Sequence, residues 1–424
     1  MAFSDKLTQA GDTDIRKMEL VGKYSTINLI GMFSNLNIYE DLFSPFITGS
    51  LLLVESYDLI NKLPIIGEEF LVLDITTPGF EKRINGKFYV YKVSDKSTVR
   101  DKLSMYTLEF ISIDAVRDLN IRLNNAWSGF CSDLADKLIR TDNQGLLTDK
   151  QVLVEESING IKFVANNWSP VKTLNYIAEK SVNKNDISSY MFYENRDGFN
   201  FISLHSLYAG NPIQDFIFDN YERTETNVGD TIKDVEQDFK RILTLNIPEG
   251  FDFIDRLSKG MFTSNLTSYD MVTKRFKRQY FSSQEQFNKI PHLNKFPLNS
   301  TEVVSAPDSL VYNKIKHTAM HNGFDDVSNS DKFLFRLSAL ANTQGFKLKI
   351  TTLGRTDYTA GKVVKVKTFR VETVNDKSND MVDPTYSGNY LISAINHNIN
   401  GESKHTCTLE LIKDSLSQGL GELA

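Results

Sequence analysis

The chain writes one strand pattern twice, some three hundred residues apart. Residues 107–114 read TLEFISID and residues 408–415 read TLELIKDS. The strands before them also correspond, with Gly86-Lys87-Phe88-Tyr89-Val90 over Gly388-Asn389-Tyr390-Leu391-Ile392. From that glycine to the threonine the spacing is 21 residues in the first copy and 20 in the second, so one loop residue absorbs the difference. Upstream, Gly67-Glu68-Glu69-Phe70-Leu71-Val72 matches Gly361-Lys362-Val363-Val364-Lys365-Val366. Period-2 patterns are generic, but three matched elements in one order are hard to produce by chance. The chain reads as two copies of one β-unit, the second interrupted by insertions. Three such chains present six similar units, and a ring of that kind can adapt a threefold object to a sixfold one.

The rest of the chain fits around this frame. A length of 424 residues suits two to four domains, and 41% hydrophobic with 24% charged residues is ordinary for a folded protein. Short β-type runs fill the first unit: YSTINLIGMF (24–33), LLLVESY (51–57), EEFLVLDITT (68–77), KFYVYKVSD (87–95) and MYTLEFISI (105–113). Gly49, the turn Leu63–Gly67 and Asn85-Gly86 are read as the breakers between them. Trp127, Phe130, Leu134 and Leu138 recur at helical spacing, predicting an amphipathic helix in NAWSGFCSDLADKLIRTD. Ser169-Pro170 supplies a cap and a first helical residue for VKTLNYIAEKSV. A hairpin follows at 191–204 about Arg196-Asp197-Gly198. Residues 232–260 look strand-like, 261–330 read as a polar arm, and Phe333, Leu337, Leu340 and Ala341 mark one side of a helix over 331–342. The closing hairpin turns at Asn400-Gly401, a dipeptide suited to left-handed backbone.

The fold class expected is therefore mainly β with α/β insertions (α+β): two antiparallel β-barrel domains plus two smaller modules. The boundaries are 1–116 for the first barrel, 117–215 for a mixed α/β module, 216–246 with 331–416 for the second barrel, 247–330 for the inserted arm and 417–424 for a tail.

Order along the chain carries a family resemblance. FSPFITGSLLLVESYDLINKLPIIGEEFLVL (43–73), NNAWSGFCSDLADKLI (124–139), NNWSPVKTLNYIAEKS (166–181), MFYENRDGFNFISLHSL (191–207), FDFIDRLSKGMFTSNLTSYDMVTKRF (251–276) and GFKLKITTLGRTDYTAGKVVKV (345–366) resemble the central baseplate hub of contractile-tailed phages. The resemblance extends to the Mu-like phage hub and to the N-terminal part of type VI secretion spike proteins, and it spans about residues 20–416. It implies a homotrimer whose two tube-like barrels per chain form a pseudo-sixfold ring. One face would meet the tail tube or a tube-initiator protein, the other a central spike, with wedge proteins of the baseplate around them. DNA and the tape measure would pass through the channel without specific binding, in a virion tail baseplate assembled in the host cytoplasm. No spike or lysozyme-like segment follows before Ala424, so the spike is expected to be a separate chain. The alternatives are the hub of a bacterial contractile injection or secretion device and, from another class, a tail-associated cell-wall hydrolase.

Charge and cysteine usage agree with a structural role. A net charge of −6 and a pI near 5.7 argue against a dedicated nucleic-acid binder, although KRFKRQY (274–280) forms one basic island. Apolar runs as short as LLLV do not span a membrane, the N-terminus has no apolar signal core, and Cys131 and Cys407 are expected reduced. No active site emerges, and no catalytic residue, cofactor or metal is expected. His317 and His321 stand four apart without a third ligand or the glutamate of HExxH. His397 and His405 flank the last hairpin and read as a surface pair. Carboxylates in GEE (67–69) and VEES (154–157) lack a cue for the cleft that sugar hydrolysis needs. GxGxxG, P-loop and GxSxG patterns are missing, and the two cysteines lack CxxC spacing.

Overall fold

β-branched and aromatic residues in alternation build the first unit from β1 (Asp14–Val21), β2 (Thr26–Asn28), β3 (Phe33–Asp41), β4 (Thr48–Glu55), β5 (Phe70–Thr76), β6 (Arg83–Arg100) and β7 (Leu103–Ser112). The structure, a computed structural model, describes residues 9–419 except 24, 58, 60–66, 101–102, 141–143, 219–230, 250–251, 271–273, 299–310, 317–325 and 370–381. An α/β module follows with β8 (Ala126–Phe130), β9 (Val152–Val154), β10 (Gly160–Val164), β11 (Tyr190–Asn195) and β12 (Gly198–Ser203). Next come β13 (Pro212–Phe218), β14 (Ile242–Glu249) and the arm strands β15 (Thr263–Asp270), β16 (Arg275–Ser282), β17 (Phe296–Pro297) and β18 (Val311–Lys316). The chain closes with β19 (Lys347–Leu353), β20 (Val363–Thr368), β21 (Gly388–Asn400), β22 (His405–Ile412) and β23 (Ser415–Leu416).

Strand order repeats as the sequence does. β3-β4-β7-β6-β5-β1 in the first unit corresponds to β14-β19-β22-β21-β20-β13 in the second. The last pair differs, since β1 meets β5 antiparallel whereas β13 meets β20 in parallel. Register repeats too. Tyr89 faces Ile111 and Val90 faces Phe110, then one residue is skipped before Lys92 meets Glu109. In the second unit Leu391 faces Ile412 and Ile392 faces Leu411, with the same skip before Ala394 meets Glu410. The residue left over is Tyr91 in one copy and Ser393 in the other, and each donates its hydroxyl to the corresponding glutamate, Glu109 at 3.0 Å and Glu410 at 2.9 Å. A β-bulge bends its strand and increases the local twist. The two copies thus share a defect in the ladder as well as the ladder.

Alternation sends Tyr106, Leu108 and Phe110 inward onto Leu36, Leu51 and Leu53, and Leu409 and Leu411 onto Leu348, Ile350 and Val364. Each such fully buried side chain contributes about 1.5–3 kcal/mol. Gly49 admits the Phe110 ring, for a Cβ there would stand 2.2 Å from it. A third core, around Trp127, Leu138, Phe163, Leu174, Tyr190 and Phe201, fills the α/β module.

Several local expectations hold. Ser169 accepts the amide of Lys172 at 3.2 Å and Pro170 opens the helix Pro170–Lys180. The 191–204 hairpin pairs Asn195 with Gly198, whose φ is 129°. Others are corrected. Ala126–Phe130 is a strand paired with β10, and the helix begins at Cys131, because Gly129 has a φ of 155° that no helix contains. Asn85-Gly86 does not break the chain; the turn is Thr77–Phe80, with Gly79 at φ 83°. Beyond Asn400 the left-handed residue is Ser403, φ 61°, while Gly401 brings its amide 2.8 Å from the Ser34 carbonyl. Residues 231–240 are helical rather than extended, and β1 and most of β3 lay outside the runs read as strands. The late helix runs Asp326–Thr343 and buries Leu334, Phe335, Ser338 and Ala339 instead of the face through Phe333 and Leu337. Its Arg336 donates to the carbonyls of Ala178, Ser188 and Tyr190, fastening it to the α/β module.

Candidate assembly edges and buried polar clusters

One ladder joins the two copies into a 13-stranded sheet: β21 pairs antiparallel with β3, from Ala394 opposite Asp41 to Asn400 opposite Asn35. The seam is cross-braced by Asn37, whose Oδ1 accepts from Asn396 at 3.2 Å and Asn398 at 2.8 Å. Glu40 reaches across it. Its carboxylate accepts the Thr359 hydroxyl at 2.5 Å and the Ala360 amide at 3.0 Å. Burial pushes the Glu40 carboxyl up to about 7 despite those bonds. The seam uses the stretch of β21 beyond its bulge, because β20 covers only Gly388–Leu391 on that side.

The same edges exist a second time with no partner strand among the described residues. β5 covers β6 only as far as Tyr89, so beyond the Tyr91 bulge that edge of β6 carries no ladder among the described residues. Ser97 and Thr98 there are exposed. β14, the counterpart of β3, ends the path of the sheet, with Leu243 43% and Ile247 38% exposed. Matching β4 to β19 through their partners makes Leu245 and Asn246 the equivalents of Leu36 and Asn37. Unpaired N–H and C=O groups on such strands are a template for another strand.

The titratable groups singled out in the sequence are mostly spoken for. Glu69 accepts the amides of Gly67 and Glu68, and Glu155 accepts from Asn183, Ser203 and Ser206. Cys131 is buried beside the side chains of Ser181, Asn159 and Ser157, and burial pushes its thiol up to about 11. KRFKRQY lies on the exposed strand β16, with Phe276 76% exposed. His317 and His321 lie outside the described residues. His397 and His405 are not a surface pair: both are buried, with His397 Nδ1 3.0 Å from His405 Nε2 and Cys407 Sγ 3.3 Å from each.

Sequence reasoning missed a buried ionic cluster under the α/β module. Glu194 accepts the Ile47 amide at 3.1 Å, the Ser112 hydroxyl at 3.2 Å and the Lys150 ammonium, which also meets Asp114 at 2.8 Å. Burial raises the Glu194 carboxyl and Lys150 opposes that rise. With Glu40, Lys82, Arg196 and Asp197 it lines a cleft of about 450 Å³. The residues come from several separate strands, loops and the helix Ile113–Asn120, and no local spacing announces them.

No protein-family model matches the chain, and neither does any curated protein. Solved structures do. A tail protein from Neisseria meningitidis aligns over 94% of this chain and 96% of its own, at 12% identity and a TM-score of 0.55. The 43 kDa tail protein of prophage MuSo2 from Shewanella oneidensis aligns over 94% and 99%, at 9% identity and a TM-score of 0.54. The chain shares the overall fold of these two tail proteins. At these identities the likeness speaks for architecture, mainly β in large antiparallel sheets with helical insertions. Among the described residues no helix is long and apolar enough to cross a membrane.

Proposed function

We propose that the protein is a non-enzymatic baseplate hub of a contractile phage tail, a homotrimer in which six barrel units form a ring around the DNA conduit. The observation that carries this reading is the seam. Within one chain the far half of β21 holds β3. Its counterpart, the far half of β6, then holds β14 of the next chain, with Ser97 opposite Asn246 and Thr98 opposite Leu245. Three chains so joined have alternating internal and intermolecular seams, and rotation by one chain closes the ring. The tail tube would meet one face and the spike the other. An acidic chain of net charge −6 suits a wall past which DNA slides. The lining of the Glu40 and Glu194 cleft supports the non-enzymatic part, since both oxygens of Glu194 and one of Glu40 are engaged by structural donors.

The test is the mass and shape of the purified chain. Native mass spectrometry is expected to give three times 48.2 kDa, and electron microscopy rings with a central hole. In a Thr98→Cys, Leu245→Cys chain, mild oxidation should link protomers into covalent trimers, while either single variant stays unlinked. A monomer that turns over peptidoglycan would overturn the reading. So would a trimer in which the paired cysteines never meet.

A further inference from the structure

The hairpin of β21 and β22 carries a second kind of site, deep in the second unit. His397 stands directly opposite Cys407, and His405 precedes Cys407 by two residues, so strand alternation puts all three side chains on one face. Their inward atoms make a closed triangle, His397 Nδ1 to His405 Nε2 at 3.0 Å and Cys407 Sγ to each nitrogen at 3.3 Å. None is more than 1% exposed. We propose that His397 Nδ1, His405 Nε2 and Cys407 Sγ bind one zinc ion.

Three arguments carry it. The first is a count of protons. Each ring nitrogen brings to the triangle either one lone pair or one N–H. A proton between the rings satisfies their contact and uses the only nitrogen lone pair, leaving the thiol proton without a nitrogen acceptor. A cation satisfies all three atoms at once. The second is size. Zinc bonds of about 2.0–2.1 Å to nitrogen and about 2.3 Å to sulfur, at tetrahedral angles, set ligands about 3.3–3.6 Å apart. The triangle is therefore within a few tenths of an ångström of that spacing, and a water can take the fourth corner.

The third is the surroundings. The outer nitrogen of His397, Nε2, lies 4.0 Å from Glu40 Oε1, too far for a hydrogen bond, so the carboxylate supports the ligating imidazole through its charge. Zinc, the Cys407 thiolate and the Glu40 carboxylate sum to zero charge, which suits a core that tolerates no lone ion. Binding releases the thiol proton to solvent, together with any proton on Glu40. Gly354 lies against the His405 ring, where a Cβ would stand 2.2 Å away, so the imidazole has room only as glycine leaves it. In the first copy the positions of His405 and Cys407 are Ser104 and Tyr106, so the site belongs to the second copy alone and predicts one ion per chain.

The full-length chain, purified without chelators or metal-affinity steps, should hold one zinc per chain by plasma mass spectrometry. Metal-free protein given Co²⁺ should develop a thiolate-to-cobalt absorption band. Cys407→Ser and His405→Gln should abolish both signals, and Glu40→Gln should weaken zinc affinity about 10–100-fold. Wild-type protein that holds no zinc and takes up neither Zn²⁺ nor Co²⁺ overturns the proposal, whatever the variants do. Zinc retained in folded Cys407→Ser overturns it as well. This test does not depend on whether the chain is a hub.

Discussion

Lys413 is 1% exposed, and replacing it should make the protein more stable. The residue follows β22, where its ammonium donates to the Thr385 carbonyl and lies 4.3 Å from the centre of the Phe346 ring and 5.0 Å from that of Tyr390. Burial pulls its pKa from 10.5 down to about 7, with Asp383 opposing the fall. At about 1.4 kcal/mol per pH unit, holding the charged form in the fold costs about 5 kcal/mol relative to the unfolded chain. The folded value is the depressed one, so this cost is complete below pH 7 and disappears as pH rises through 7 toward 10.5. Lys413→Met removes it. The variant also leaves the Thr385 carbonyl unpaired, about 1 kcal/mol, and forgoes cation–π contacts of about 1–2 kcal/mol. The net expectation is a gain of about 2 kcal/mol at pH 7. That corresponds to a melting shift of about 4–8 °C for a cooperative unit of about 150–250 residues. Differential scanning fluorimetry at fixed protein concentration, from pH 7 to 10.5, should show the gap closing as pH rises. A variant that melts below wild type at pH 7 would sink the argument. A gap constant with pH would also sink it, by removing the lysine charge as the cause.

Glu194→Ala should destabilise, because it leaves the buried Ile47 amide unpaired and Lys150 with Asp114 alone as its carboxylate partner. A loss of about 1–3 kcal/mol is expected in chemical denaturation, and Glu194→Gln should recover part of it. Ser169→Ala removes the cap on Lys172 and should cost about 1 kcal/mol, read as faster hydrogen exchange in the first turn of Pro170–Lys180.

What could be read from the sequence divides along physical lines. The repeat was legible because strand alternation and glycine positions are local: the hairpin strands pair as aligned, whereas the upstream match is one residue out, since the register sets Phe70 over Val363 and not over Val364. The one-residue difference in spacing also has a place: Asp95 at φ 54° marks a second irregularity, between Ser94 and Ser97, in β6 alone. Local capping at Ser169 was equally plain. Helix and strand were confused around Trp127, since 3.6- and 2-residue periods both fit so short an apolar run, and a glycine dihedral decided between them. The surface reading of His397 and His405 failed for a different reason. Polarity suggests exposure, but β3 and Gly354 come from elsewhere in the chain to cover them. The Glu194 cluster was invisible for the same cause, being assembled from partners 36 to 147 residues apart.

Because the β21–β3 seam lies within one polypeptide, it forms at a rate independent of protein concentration. Tethered edges meet at effective concentrations of order millimolar, far above that of a scarce structural protein in a cell. A six-unit ring built from single barrels would need five encounters between separate molecules; the proposed ring of three chains would need two. In the proposed ring, joining two units in one chain would therefore change the order of assembly as well as its symmetry, since half of the seams would be complete before any two chains collide.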